Sequence, residues 1–216
     1  MGVPNQFALL RERRFLPFFL TQGLGAFNDN VFKNALVVLI AYLSVELSDR
    51  DRNAFTNLAA GLFILPFFLF SATAGQLAEK YDKSRVAQAV KLMEVAIMAV
   101  AAAGFLTHNV TLLLAMVFMM GLHSTLFGPL KYSILPQVLR PDELVGGNGL
   151  IEMATFVAIL AGTILGASLI RIEGHGALWV SLACIGLALA GLGTALAMPR
   201  VAPAAPELPI RWNLFA

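Results

Sequence analysis

Residues 15–45 read FLPFFLTQGLGAFNDNVFKNALVVLIAYLSV, an apolar run broken in its middle by Asn28-Asp29-Asn30 and, behind them, Lys33 and Asn34. At 1.5 Å rise per residue, a helix of this length exceeds a hydrocarbon core of roughly 30 Å and must tilt or protrude. A charge at that depth costs about 2.5–3.5 kcal/mol on insertion scales if it faces lipid, which turns Asp29 and Lys33 toward protein or a watery cavity. Their four-residue spacing places both on one helix face, where they are able to pair. Gln22, Asn28, Asn30 and Asn34 widen the polar patch beyond the needs of one ion pair. The stretch is therefore read as part of a solute pathway, with a purely structural salt bridge as the alternative.

The rest of the chain agrees with a membrane solvent. Of its 216 residues 58% are hydrophobic and 13% charged, and the mean hydropathy of +0.77 lies outside the soluble balance. The expected class is all-α and polytopic, with six transmembrane helices near 15–45, 57–79, 86–107, 110–130, 145–170 and 176–198. A net charge of +2, with Phe scattered through apolar runs, gives no nucleic-acid surface. Cys184 is alone, which excludes an intrachain disulfide and a Cys-cluster metal site.

Arg11, Arg13 and Arg14 precede the first apolar run as in a signal peptide, but that run is too long and carries the polar triplet, so it is read as a retained span. With the N-terminus cytoplasmic, that side collects Arg11, Arg13, Arg14, Lys80, Lys83, Arg85, Lys131, Arg140, Arg200 and Arg211; the far side collects Arg50, Arg52 and Arg171. This asymmetry places both termini inside. The chain divides into a cytoplasmic N-terminal segment (1–14), a helical bundle (15–198) and a Pro- and Ala-rich linker (199–216) ending in Ile210, Arg211, Trp212, Asn213, Leu214 and Phe215. That linker is read as leading toward the interface and as the start of the central loop of a longer protein.

Several side chains inside the spans need a local explanation. Lys91 and Glu94 lie three apart on one helix face, Lys91 being close enough to the cytoplasmic end to snorkel. Glu152 has Thr155 three residues on. His123, among Gly121, Ser124 and Thr125, fits an interhelical hydrogen bond better than a proton relay, although an imidazole exchanges its proton near neutrality. Pro129 is expected to end or kink the fourth span, leaving Lys131 and Tyr132 at the cytoplasmic mouth, and Pro66 to distort the second. Ala154, Ala158, Gly162 and Gly166 recur every four residues, and Gly186, Ala190 and Thr194 repeat the pattern, as helix contacts. Phe67, Phe68 and Phe70 are read as lipid-facing, with an acyl-chain groove as the alternative.

No catalytic constellation emerges. His108, His123 and His175 are dispersed, and Gly146-Gly147-Asn148-Gly149 lacks the Lys and Ser/Thr of a P-loop and reads as a flexible lead into the fifth helix. No cofactor or metal is implied.

Between the second and third spans, Gly75-Gln76-Leu77-Ala78-Glu79-Lys80-Tyr81-Asp82-Lys83-Ser84-Arg85 resembles the loop motif of the major facilitator superfamily at Gly75, Leu77, Ala78, Lys80, Lys83 and Arg85. It departs at Glu79, where Asp is usual, and at Asp82, where Gly is usual. Gly25-Ala26-Phe27-Asn28-Asp29-Asn30, Phe127-Gly128-Pro129-Leu130-Lys131-Tyr132 and Asn148-Gly149-Leu150-Ile151-Glu152 together resemble the lysophospholipid transporter family. They equally resemble the transporter domain of bacterial fusions with a glycerophospholipid acyltransferase and an acyl-acyl carrier protein synthetase.

The resemblance implies the N-terminal six helices of twelve, in a 3+3 arrangement. It further implies that the protein moves lysophospholipids, chiefly the ethanolamine and glycerol types, across the bacterial inner membrane for reacylation. A C-terminal half and a fused or separate acyltransferase or synthetase are the implied partners, and enzymatic activity is expected only from a fused domain. The residues that suit a headgroup needing both charge signs and amides are Gln22, Asn28, Asp29, Asn30, Lys33, Asn34, Glu94, Lys131 and Glu152. Asp29 suits an ammonium, and Lys33, Lys91 or Lys131 a phosphate. Gly75, Leu77, Glu79, Lys80, Asp82, Lys83 and Arg85 are expected to form the gating loop. Two other readings stand beside it: a proton-coupled exporter of small amphipathic drugs, with Asp29 or Glu152 carrying the proton, and a non-transporting anchor that presents lipid to a fused acyltransferase.

Overall fold

The computed structural model describes residues 6–43 and 48–211. Six long helices carry the fold: α1 (Leu16–Val38), α2 (Asp49–Lys80), α3 (Lys83–Leu106), α4 (Val110–Val138), α5 (Leu144–Leu169) and α6 (Gly176–Leu196). A 3-10 turn, Gln6–Arg11, precedes α1, a π turn, Leu39–Leu43, extends it, and a second 3-10 turn, Pro141–Glu143, leads into α5. No strand occurs among the described residues.

Local chemistry fixes the starts of these helices. Ser48 caps α2 by accepting from the Asp51 backbone N–H at 3.2 Å, Asp82 caps α3 through Arg85 at 3.1 Å, and Asn109 caps α4 through Leu112 at 3.0 Å. Each cap satisfies a donor that the first helical turn leaves without a partner.

Five helices are long and apolar enough to cross a membrane: α2, α3, α4, α5 with its leading turn, and α6. The expectation was six; α1 is not among the five, because Asn28, Asp29, Asn30, Lys33 and Asn34 occupy its middle. It is instead the inner helix, packing along α5 and α6. Gly162 lets the α5 backbone approach the Phe27 carbonyl, and Gly166 does the same at Val31, where a side-chain carbon would collide with the α1 backbone. The Ala154–Gly166 stripe therefore packs as its spacing indicated. The α6 stripe makes a helix contact at Thr194, whose Oγ1 lies 2.9 Å from Thr21 Oγ1 of α1, but not at Gly186, where an added side-chain carbon would meet nothing within 4 Å; Cys184, Ala188, Gly191 and Ala195 are among the residues α6 buries. α2 packs along α4, and α3 packs between α4 and α6.

Several expected boundaries shift. α2 begins at Asp49 rather than near residue 57, since Ser48 supplies a cap outside the apolar run. α4 neither ends nor breaks at Pro129; it continues through Pro129 and Pro136 to Val138. A proline costs a helix one backbone bond and a ring clash, and a long helix held by neighbours on two sides tolerates both. Gly146-Gly147-Asn148-Gly149 is helical, inside α5 rather than a flexible lead. The N-terminal 3-10 turn lies against it, with Gln6 over Gly146 and Leu9 beside Gly147. The motif expected as a loop is mostly helix: Gly75, Leu77, Glu79 and Lys80 end α2, Lys83 and Arg85 open α3, and only Tyr81 and Asp82 connect them.

The linker after α6 does not run free. Lys83 donates its backbone N–H to Val201 at 2.9 Å, Ser84 Oγ donates to Pro199 at 2.6 Å, and Ala205 donates to Glu79 at 3.0 Å. Arg211 closes the series by donating to Gln76 Oε1 at 2.6 Å. Of the terminal stretch read as interfacial, residues 212–216 lie outside the described residues, as do residues 44–47 at the end of the first apolar run.

Candidate functional site

Two apolar clusters divide the bundle. One gathers Val31, Phe32, Met98, Phe105 and Met120; the other gathers Phe18, Val90, Phe127, Leu130 and Ile151. Between them α1, α3 and α4 each place a polar layer: Asn28 and Asp29, Lys91 and Glu94, and His123 and Ser124.

Glu94 is the hub. Its Oε2 lies 2.6 Å from Lys91 Nζ, its Oε1 accepts from Asn28 Nδ2 at 2.7 Å, and His123 Nε2 stands 3.2 Å from Oε2. Both members of the ion pair are 1% exposed, so Lys91 does not snorkel. Burial explains the difference, since the Nζ that a snorkelling lysine would carry to water is taken up by a carboxylate. Gly25 makes room for that ammonium, because a side chain on Gly25 would collide with Lys91 Nζ. A buried pair of this kind loses its hydration, and the attraction offsets that loss only with good geometry and extra hydrogen bonds, which Asn28 supplies.

Asp29 and Lys33 behave differently. Among the described residues they form no ion pair with each other. Asp29 Oδ2 accepts from Ser124 Oγ at 2.7 Å, while Oδ1 is buried without a hydrogen-bond partner. Lys33 Nζ lies 4.0 Å over the Phe63 ring, a cation–π contact.

These two charges face a cavity of about 420 Å³. Of the residues expected to bind substrate, Gln22, Asp29, Asn30, Lys33 and Lys131 line it, joined by Lys91 and His123. A second cavity of about 370 Å³ adjoins it, sharing Asn30, Lys33 and Phe63, and is walled by apolar residues such as Leu36, Val37, Ala59, Ile64 and Val117. Asn34 lies on this second wall, where it also donates to Thr163 Oγ1 at 3.1 Å. Gln22 donates to Thr155 Oγ1 at 3.3 Å, so both amides also tie α1 to α5. Asn28, Glu94 and Glu152 stand behind the linings. Glu152 is joined to Lys131 at 2.5 Å and not to Thr155, whose hydroxyl donates to the Ile151 carbonyl.

Phe67 lines the polar cavity, whereas Phe68 is 84% exposed and points outward as a lipid-facing residue would. His123 reaches between helices as its neighbours suggested, with Nε2 3.2 Å from Glu94 Oε2 on α3, and its ring stacks on Phe127.

One ionic cluster escaped sequence reasoning. Arg14 grips Glu143 with both guanidinium nitrogens at 2.8 Å and donates to the Val138 carbonyl at 2.7 Å. Arg140 adds its backbone N–H at 2.9 Å. The partners are 129 residues apart, and the only available signal was the Arg140–Glu143 spacing around Pro141. No group of His, Cys, Asp or Glu able to hold a metal ion occurs among the described residues.

No family model matches the chain, and no solved structure matches it. Curated relatives do. It is 29% identical to the lysophospholipid transporter LplT of Pectobacterium carotovorum over 203 residues, which is 93% of this chain and 46% of that protein. The transporter of the same name from Escherichia fergusonii is 29% identical over 91% of this chain and 45% of its own length. That from Cronobacter sakazakii is 27% identical over 91% and 46%. The chain spans about half the length of the curated relatives it matches.

Proposed function

From its similarity to lysophospholipid transporters over about nine-tenths of its length, we propose that the chain is a member of that family and forms one half of a transporter moving lysophospholipids across the bacterial inner membrane for reacylation. The observation that carries this reading is the pair of joined cavities. One has charged groups of both signs and amides, the other is apolar, and Lys33 on Phe63 stands where they meet. A lysophospholipid has the same division, a charged headgroup and a single acyl chain. Asp29 receives an ammonium, Lys33 a phosphate, and the apolar cavity the first part of the chain, with Gln22, Asn30 and Lys131 completing the polar wall.

In this proposal α1 is the sixth span. At 23 residues it is about 34 Å long, and its polar middle is turned inward between α4, α5 and α6, so it needs no apolar surface of its own. The six helices form two groups of three, both termini lie in the cytoplasm by the positive-inside asymmetry, and an opposing half supplies the other wall for alternating access. Asn28, Glu94 and Asn34 hold the site in shape, Glu152 holds Lys131, and the Gly75–Arg85 segment serves gating. The protein acts as a transporter, and acylation belongs to a separate or fused acyltransferase or synthetase.

The test is inward movement of labelled lysophosphatidylethanolamine in cells lacking other routes, comparing the complete protein with Asp29→Asn at equal membrane expression. Movement lost in the variant supports the reading. A wild-type protein that moves no lipid overturns the function, and movement that survives the substitution overturns the site.

A further inference from the structure

Resting on the transport reading above, we infer that Ala59 and Ala60 of α2 determine whether an acyl chain is admitted, by keeping open a groove between α1 and α2 in which the chain travels inside the protein. The opposite arrangement leaves the chain in the bilayer while the headgroup alone crosses through protein. The groove exists because α1 and α2, although consecutive, pack on different partners, α1 along α5 and α6 and α2 along α4. The cavity of about 370 Å³ lies between them, and its lining keeps helical spacing on both. On α1, Asn30, Lys33, Asn34 and Val37 share a face; on α2, Phe63, Ala60, Ala59 and Thr56 share one. From Phe63 to Thr56 the groove runs about 10 Å at 1.5 Å per residue.

Its chemistry is graded along that length. Lys33, 4.0 Å over Phe63, stands at the mouth shared with the polar cavity. The two amide nitrogens on the wall are engaged elsewhere: Asn30 Nδ2 donates to the Ala26 carbonyl at 2.7 Å, and Asn34 Nδ2 to the Asn30 carbonyl at 2.9 Å and to Thr163 Oγ1 at 3.1 Å. The floor is Leu36, Ala59 and Val117, buried residues from three helices, while Ala60 and Ile64 stand exposed at the rim. Such a slot offers little to a second headgroup, and close contact along its whole length to a hydrocarbon.

Side-chain size on α2 decides whether the slot is open. The α2 residues turned outward are large, with Leu58, Leu65 and Phe68 exposed, whereas the turns beyond Phe63 on the groove face carry two alanines and a threonine. Small residues in membrane helices ordinarily let two backbones approach closely; Ala59 and Ala60 border a cavity instead. A chain leaving the bilayer is already among hydrocarbon, so the groove gains no hydrophobic driving force over lipid. It acts by admission: the methyl side chains leave room, and a larger side chain at either position takes that room away.

The experiment gives the complete protein, in vesicles, a lysophosphatidylethanolamine with a photoreactive diazirine on its acyl chain, measures movement of the lipid, and locates the adducts by peptide mapping. Adducts are expected at Leu36, Val37, Thr56, Ala59 and Ala60. Lipid that moves while its adducts are confined to Leu58, Leu65 and Phe68, or are absent from the groove, overturns the inference and leaves the transport reading standing; a wild-type protein that moves no lipid brings down the transport reading and this inference with it. Ala59→Leu fills the groove from its floor and Ala60→Leu from its rim, and each should cut movement at least about tenfold, the scale of an overpacked contact, with loss of the groove adducts. Movement at the wild-type rate in both variants overturns the proposal. Should Ala59→Leu fail to accumulate, the exposed position decides: Ala60→Leu with wild-type movement and wild-type adducts overturns it.

Discussion

Lys91 with Glu94 on α3, and Asp29 with Lys33 on α1, are nearly the same pattern in sequence, an acid and a lysine one helical turn apart inside an apolar run. In the fold the first pair closes at 2.6 Å with both side chains 1% exposed. The second stays open, its members turned to a hydroxyl and an aromatic ring beside a cavity. Helical spacing permits a pair; what surrounds it decides whether the pair forms. Glu94 draws Lys91, Asn28 of α1 and His123 of α4 to one point, while Asp29 and Lys33 are each taken up by a different neighbour, Ser124 and Phe63.

The comparison breaks most readily at the closed pair. Glu94→Ala leaves the Lys91 ammonium buried and unmatched and is expected to destabilise the protein by about 3–5 kcal/mol, read as lost accumulation or a large fall in Tm in detergent. A protein of unchanged Tm would show that the α3 pair is as dispensable as a surface one. Next comes Gly25→Ala, whose added methyl collides with Lys91 Nζ. Shifting the ammonium off Glu94 should cost about 1–3 kcal/mol, the range for overpacking, and the same melting measurement checks it.

At the open pair the balance of effects reverses. Asp29→Asn keeps the Ser124 hydrogen bond and should leave Tm within a few degrees, while lysophosphatidylethanolamine movement drops at least about tenfold, or roughly 1.4 kcal/mol. A large Tm loss with normal movement would reassign Asp29 to scaffolding. The smallest effect belongs to Glu152→Gln. Its carboxylate is 43% exposed, so the ion pair with Lys131 contributes under about 1 kcal/mol, and only a modest change in lipid affinity is expected.

Much of the helical architecture was legible, because long apolar runs leave few alternatives and the Ala154–Gly166 stripe carried its own packing face. Stop signals misled where tertiary contacts outweighed them, at Pro129 and at Gly146–Gly149, since local propensity is worth only a few kcal/mol against a helix held on two sides. The polar patch of α1 was visible as a composition anomaly. Its division of labour was not: Asn28 turns to Glu94, 66 residues away, and Asn34 to Thr163, 129 residues away, and no spacing rule reports such partners.

The segment after α6 has a consequence for anything attached beyond it. Fixed at Pro199, Val201, Ala205 and Arg211 along the α2–α3 corner, it moves the effective point of departure from the foot of α6 to the foot of α2. Thirteen extended residues would otherwise give a leash of about 43 Å. Here that slack is already taken up, so a segment attached there would start from one anchored address, beside the corner between α2 and α3.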